Sequence, residues 1–192
     1  MKEIEIDVKI RNYEEFLENN PDDIDTLKEL INLYETTENY LKAKLYYEKV
    51  LALASDDSML YFNYARILED FFHEYEKAKN LYLQAIKLDP KNIEAYINLS
   101  WLYLERLDDV NTSYIIVQEA LKNVENSEIY AQMAFIEFSK YKEYRKAEKN
   151  LRKAIEIDKE NDLAYTYLGQ LFIIEGKLNE AKEVFKEALS LK

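Results

Sequence analysis

Few side chains in this sequence are equipped for bond-making chemistry. His73 is the single histidine and there is no cysteine. A histidine–nucleophile pair, a thiolate nucleophile and an imidazole or thiolate metal cluster therefore lack their parts. Carboxylates are plentiful, but they follow the spacing of a helix surface. None shares a motif with a candidate nucleophile, and an acid–base pair needs two carboxyls in contrasting environments. Gly169 and Gly176 are the only glycines, so no glycine-rich loop can cradle a phosphate. No catalytic residue, metal site or cofactor is expected, and the chain does not read as an enzyme. What remains is the chemistry of contact. Trp101 is the only tryptophan, and Phe62, Phe135 and Phe138 are large apolar groups able to grip a partner. The basic run from Lys140 to Lys153 is interleaved by Glu143 and Glu148 at helical pairing distances, which marks a solvated helix face.

The elements that would position these groups repeat. Small residues recur at Ala43, Ala78, Ser113, Ala147 and Ala181, and again at Val50, Ala85, Ala120, Ala154 and Ala188. Upstream run a bulky series, Leu27, Tyr61, Tyr96, Tyr130 and Tyr165, and a mostly small one, Ile31, Ala65, Ser100, Ala134 and Gly169. All step by about 34 or 35 residues, a period typical of helical repeats. Within a repeat the apolar spacing is helical, as in Tyr96, Leu99, Ser100 and Tyr103. Each repeat is therefore two helices joined by a short polar turn, with small residues where the helices cross closely. Pro90 and, two repeats earlier, Pro21 mark stops between pairs.

The fifth repeat, with Tyr165, Leu168, Gly169, Phe172, Ala181, Phe185 and Ala188, resembles the tetratricopeptide repeat, and Pro90 matches that family's inter-repeat proline. The resemblance covers roughly residues 22–192. It implies an all-α, right-handed superhelical solenoid of antiparallel helix pairs, at about 22–56, 57–91, 92–126, 127–160 and 161–192. Repeats two to four carry one extra residue between their helices and replace the glycine with Ala65, Ser100 or Ala134. Those departures leave room for a related helical repeat, including the half-TPR type. Residues 1–21 are read as a leading segment. Tyr13, Phe16 and Leu17 align with Tyr82, Ala85 and Ile86 as a capping helix, while Ile4, Ile6, Val8 and Ile10 alternate as an extended arm would.

In such an array the first helix of each pair lines the concave side. At about 100° per residue, Ile97, Trp101 and Leu104 form an arc separate from the Tyr96 core arc. The same arc holds Phe62 and Arg66 in repeat two, Phe135 and Phe138 in repeat four, and Ile173 in repeat five; Asn98 lies alongside. This predicts an aromatic-lined groove for a peptide or partner protein. The alternative is that these aromatics pack together as ordinary solenoid core. Lys28, Asn32 and Asn63 match three positions of the carboxylate clamp that the resemblance brings with it. The two further basic positions are Glu94 and Asn98 here, so solvated groove-wall residues are the better reading.

The formal charge is −12, the wrong sign for a nucleic-acid or anionic-membrane partner. It falls as −8 over residues 1–57, −4 over 58–127 and 0 over 128–192, which suits either a basic partner or a solubilising coat. No run approaches the ~18 apolar residues of a membrane span, and charges among the first residues argue against a secretory signal, so a cytoplasmic setting is expected. Ala181, Val184, Phe185, Ala188, Leu189 and Leu191 form a wide apolar arc on the last helix, open to self-association or to a partner. The expected function is a non-enzymatic adaptor or scaffold holding a peptide or protein in the groove. The alternative is an accessory or regulatory subunit docking an enzyme or receptor through its convex surface or C-terminal helix.

Overall fold

A computed structural model gives the chain's structure over residues 2–53 and 56–190. Among the described residues it is all-α, with no strand. The helices are α1 (Lys2–Asn19), α2 (Ile24–Thr36), α3 (Tyr40–Leu53), α4 (Ser58–Asp70), α5 (Tyr75–Leu88), α6 (Ile93–Glu105), α7 (Val110–Asn123), α8 (Ser127–Ile136), α9 (Tyr144–Ile157), α10 (Asp162–Ile174) and α11 (Leu178–Ser190). The ten from α2 to α11 form five pairs.

Local chemistry explains where each helix starts and turns. The first helix of every pair opens on an Asp or Asn whose side chain accepts a backbone N–H three residues on: Asp23 from Thr26, Asp57 from Leu60, Asn92 from Ala95, Asn126 from Ile129 and Asn161 from Ala164. Each bond satisfies a donor that the helix itself leaves orphaned. The turn within every pair contains one residue in the left-handed region: Glu38, His73, Asp108, Lys142 and Gly176. Four of these five are not glycine, so the chain reverses direction at each pair with only one glycine spent on the task.

The chain divides into two compact units, Met1–Asp89 and Pro90–Lys192. Residues 1–21 are tied into the N-terminal unit. Tyr34 Oη and Tyr46 Oη donate to Glu14 Oε1 at 2.7 and 3.2 Å, and Lys42 Nζ reaches the same oxygen at 3.2 Å. The extended arm expected for residues 1–12 is likewise corrected: α1 runs as helix from Lys2. Ile6, Ile10, Tyr13 and Leu17 fall on one helical stripe and are half-buried, while Ile4 and Val8 are exposed. The alternation concealed a spacing of 4, 3 and 4 residues, which is that of one helix face.

Both small-residue series sit where helices cross. Ala43, Ala78, Ser113 and Ala147 are fully buried, as are Ala65, Ser100 and Ala134. In the third pair the two small residues are serines. Ser100 Oγ and Ser113 Oγ lie 2.8 Å apart, and Ser113 Oγ also donates to the Ser100 carbonyl at 2.9 Å, so neither hydroxyl is buried unmatched. In the fifth pair Gly169 gives room to a ring: a Cβ there would lie 2.1 Å from Phe185. Gly169→Ala should therefore cost about 1–2 kcal/mol by displacing that ring. In a Phe185→Ala background the same change should be neutral or stabilising, since alanine favours a helix by up to about 1 kcal/mol over glycine. Urea denaturation of the two single variants and the double variant measures the coupling.

The residue that repeat four carries in excess is taken up not in its turn but in the helix: Glu137–Tyr141 form a π-helical turn continuing α8. Ser127 Oγ donates to the Ala154 carbonyl at 2.8 Å and accepts from Asn161 Nδ2 at 2.6 Å, so the starts of α8 and α10 and the end of α9 share one buried hydrogen-bonded node.

Candidate partner-binding site

In the C-terminal unit the first helices α6, α8 and α10 pack in sequence, α8 against both neighbours. An aromatic chain crosses them. The ring centroids of Trp101 and Phe135 are 5.2 Å apart and those of Phe135 and Tyr167 are 5.0 Å apart, within the range of favourable aromatic pairs. All three side chains are half-buried, with one side packed and one side wet. Gln132 Nε2 donates to the Ile97 carbonyl at 3.2 Å, linking α8 to α6, while Gln132 Oε1 is buried with no donor.

The arc expected to line a groove is corrected in position. Leu104 and Phe138 are each only 3% exposed. Phe138 packs edge-on to Phe135 and Tyr167 and belongs to the core with Leu151, Leu168 and Phe172. Phe62 in the N-terminal unit is 5% exposed and lies against Tyr82 of α5. Residues about 80–100° from the core tyrosine thus tend to be buried, and the wet strip lies about 140–200° from it. Ile97, Asn98 and Trp101 stay half-exposed, Arg66 is exposed, and Ile173 is 51% exposed. Shifting the arc brings in residues the spacing argument left out: Tyr167, Leu163 and Ile174. The apolar character of Leu163, Tyr167 and Ile174 on a helix already supplied with a core face was the available signal.

In the N-terminal unit Lys28, Asn32 and Asn63 do come together, lining one cavity of about 140 Å3 with Asp57 and Tyr47. Lys28 Nζ, however, lies 2.6 Å from Asp57 Oδ2. Burial works to raise the Asp57 carboxyl, but the hydrogen bonds from Lys28 and from the Leu60 N–H outweigh it and hold the group below its ordinary range. The cation a clamp would offer to a ligand is thus engaged by the chain's own carboxylate. His73 is exposed in its turn, with Nδ1 3.2 Å from the Glu69 carbonyl. Among the described residues no group of three or more His, Asp or Glu is placed to hold a metal ion, and no helix is long and apolar enough to cross a membrane.

At the far end, α11 buries Ala181 and Val184 and leaves Phe185 and Leu189 exposed. Leu191, counted in the expected apolar arc, lies outside the described residues.

Helix pairs at this period, with small crossing residues and capped first helices, define a helical-repeat protein whose surfaces serve contact. The chain belongs to the tetratricopeptide repeat family: that family's patterns match residues 32–57, 60–92 and 163–192, and residues 81–113. Among curated proteins it is similar to human cilia- and flagella-associated protein 70, with 32% identity over 114 residues. That stretch is 55% of this chain and 10% of the relative, so the chain spans about a tenth of that protein's length. Among solved structures, pilF of Pseudomonas aeruginosa superposes with a TM-score of 0.73 at 20% identity, over 97% of this chain and 91% of that one. MamA gives 0.69 at 21% identity, over 87% and 90%. YrrB, described as a TPR protein with an unusual peptide-binding site, gives 0.66 at 18% identity, over 94% and 92%. At these identities the structures speak to the fold.

Proposed function

We propose that this chain is a non-catalytic interaction adaptor whose docking surface is the wet strip of α6, α8 and α10. The observation that carries the reading is the half-exposed chain Trp101–Phe135–Tyr167, which spans three consecutive first helices. Aromatic side chains set in packed surroundings with one wet side are the anchors on which binding energy concentrates. The family, and a structural neighbour described by its peptide-binding site, agree with a partner that is a protein or peptide.

Trp101→Ala should abolish capture of that partner while lowering stability by less than about 2 kcal/mol, below the 3–5 typical of a fully buried tryptophan. Affinity capture from the native cell with the intact chain, Trp101→Ala and Leu189→Glu checks it. Loss with Trp101→Ala alone supports the strip. Loss with Leu189→Glu alone favours the second reading, an accessory subunit docking through its last helix, for which the 74% exposure of Leu189 is the supporting observation.

A further inference from the structure

We propose that the strip on the C-terminal unit takes a protein segment whose apolar anchors are flanked by lysine or arginine. This rests on the docking reading above and adds the chemistry of the occupant.

Charge is separated between the first and second helices of the C-terminal unit. Helices α6, α8 and α10 contain a single basic residue once the π turn is included, Lys140, and it lies in that turn at the far end of α8. The second helices hold the cations instead: α9 alone carries Arg145, Lys146, Lys149, Arg152 and Lys153. Along the strip, Glu94 and Glu105 stand at the two ends of α6 and Glu128 at the start of α8. All three are exposed, and none forms an ion pair among the described residues. The strip is therefore apolar in the middle, through Trp101, Phe135 and Tyr167, and negative at its margins. A surface that offers carboxylates around an aromatic centre is complementary to cations around an apolar anchor, and like charges would be repelled.

The only tryptophan lies in the strip, so its fluorescence reports occupancy directly. The probes are short synthetic peptides added to the full chain. One has leucine and phenylalanine anchors between lysines. A second has the same anchors between glutamates, and a third has lysines with the anchors replaced by glycine and serine. Only the first should give a saturable blue shift, and raising the salt should weaken it. Combining Glu94→Gln, Glu105→Gln and Glu128→Gln should reduce its affinity about tenfold at low salt, with anchor binding retained.

Equal binding of the lysine-flanked and glutamate-flanked peptides, or an unchanged affinity in the triple variant, overturns the charge preference and leaves the docking face standing. Binding of the anchorless lysine peptide as tightly as the first overturns the proposal by reducing it to counter-ion attraction. If no anchored peptide shifts the fluorescence or gives heat on mixing, the docking reading falls as well.

Discussion

Phe138→Ala should destabilise the C-terminal unit by about 3–5 kcal/mol, the range for emptying a fully buried phenylalanine site. The ring is 3% exposed, lies 5.5 Å from Phe135 and 6.1 Å from Tyr167, and shares a core with Leu151, Leu168 and Phe172. Those neighbours sit on three helices, α8, α9 and α10, so none can collapse into the void without dragging its own helix. Urea denaturation followed by circular dichroism measures the loss. A cost under about 1 kcal/mol would return Phe138 to the surface, where its spacing from Tyr130 had placed it. The contrast with Trp101 is the informative quantity, because the two positions were expected to lie on one arc.

A second large effect is expected at Glu137. Its side chain is 1% exposed at the start of the π turn, with Oε1 accepting from Tyr114 Oη at 3.0 Å and Oε2 from Asn150 Nδ2 at 2.8 Å. Burial raises the carboxyl above its ordinary range. The hydrogen bonds from Asn150 and Tyr114 pull the other way, the Glu143 charge adds to the rise and Lys146 opposes it. The same surroundings, burial first and then the Glu137 charge, push the Tyr114 hydroxyl up to about 12. A carboxyl raised by folding favours the native state in its protonated form. Its contribution is complete below the ordinary glutamate value and is lost as the pH rises through the native one.

Glu137→Gln keeps the shape and removes that loss, given that the Asn150 amide can turn to accept. Its stability relative to the parent should therefore grow from pH 4 to pH 8. Glu137→Ala leaves Tyr114 and Asn150 without their partner and opens a void, and should cost about 2–4 kcal/mol at either pH. Paired denaturation curves of parent and variants check both. A pH-independent difference between Glu137→Gln and the parent would mean that the carboxyl titrates as an ordinary one.

Much of the fold was readable because the repeat writes each physical requirement five times. The small residues from Ala43 to Ala181 are buried at helix crossings, as close packing demands. The strip was readable only in part. Spacing alone fixes angles within one helix, but the packing of neighbouring helices decides which angle stays wet. That packing buries Leu104 and Phe138 and leaves Tyr167 half-exposed. Glu137 occupies the register position held by Leu68, Tyr103 and Phe172 elsewhere, so a carboxylate in an apolar series was visible. Its cause was not, because the extra residue of repeat four could equally have lengthened the turn, as it does after α4 and α6. The helix from Lys2 was obscured by four alternating β-branched residues, of which only Ile6 and Ile10 join Tyr13 and Leu17 on the helical stripe.

The node at Ser127 gives the C-terminal unit a grain. The Ser127 hydroxyl donates to Ala154 inside the fourth pair and accepts from Asn161 of the fifth, so departure of the fifth pair takes away one donor and leaves the bond that closes α8 on α9 in place. The fourth pair is thus latched within itself, and a chain pulled or heated from that end sheds its fifth pair before the fourth.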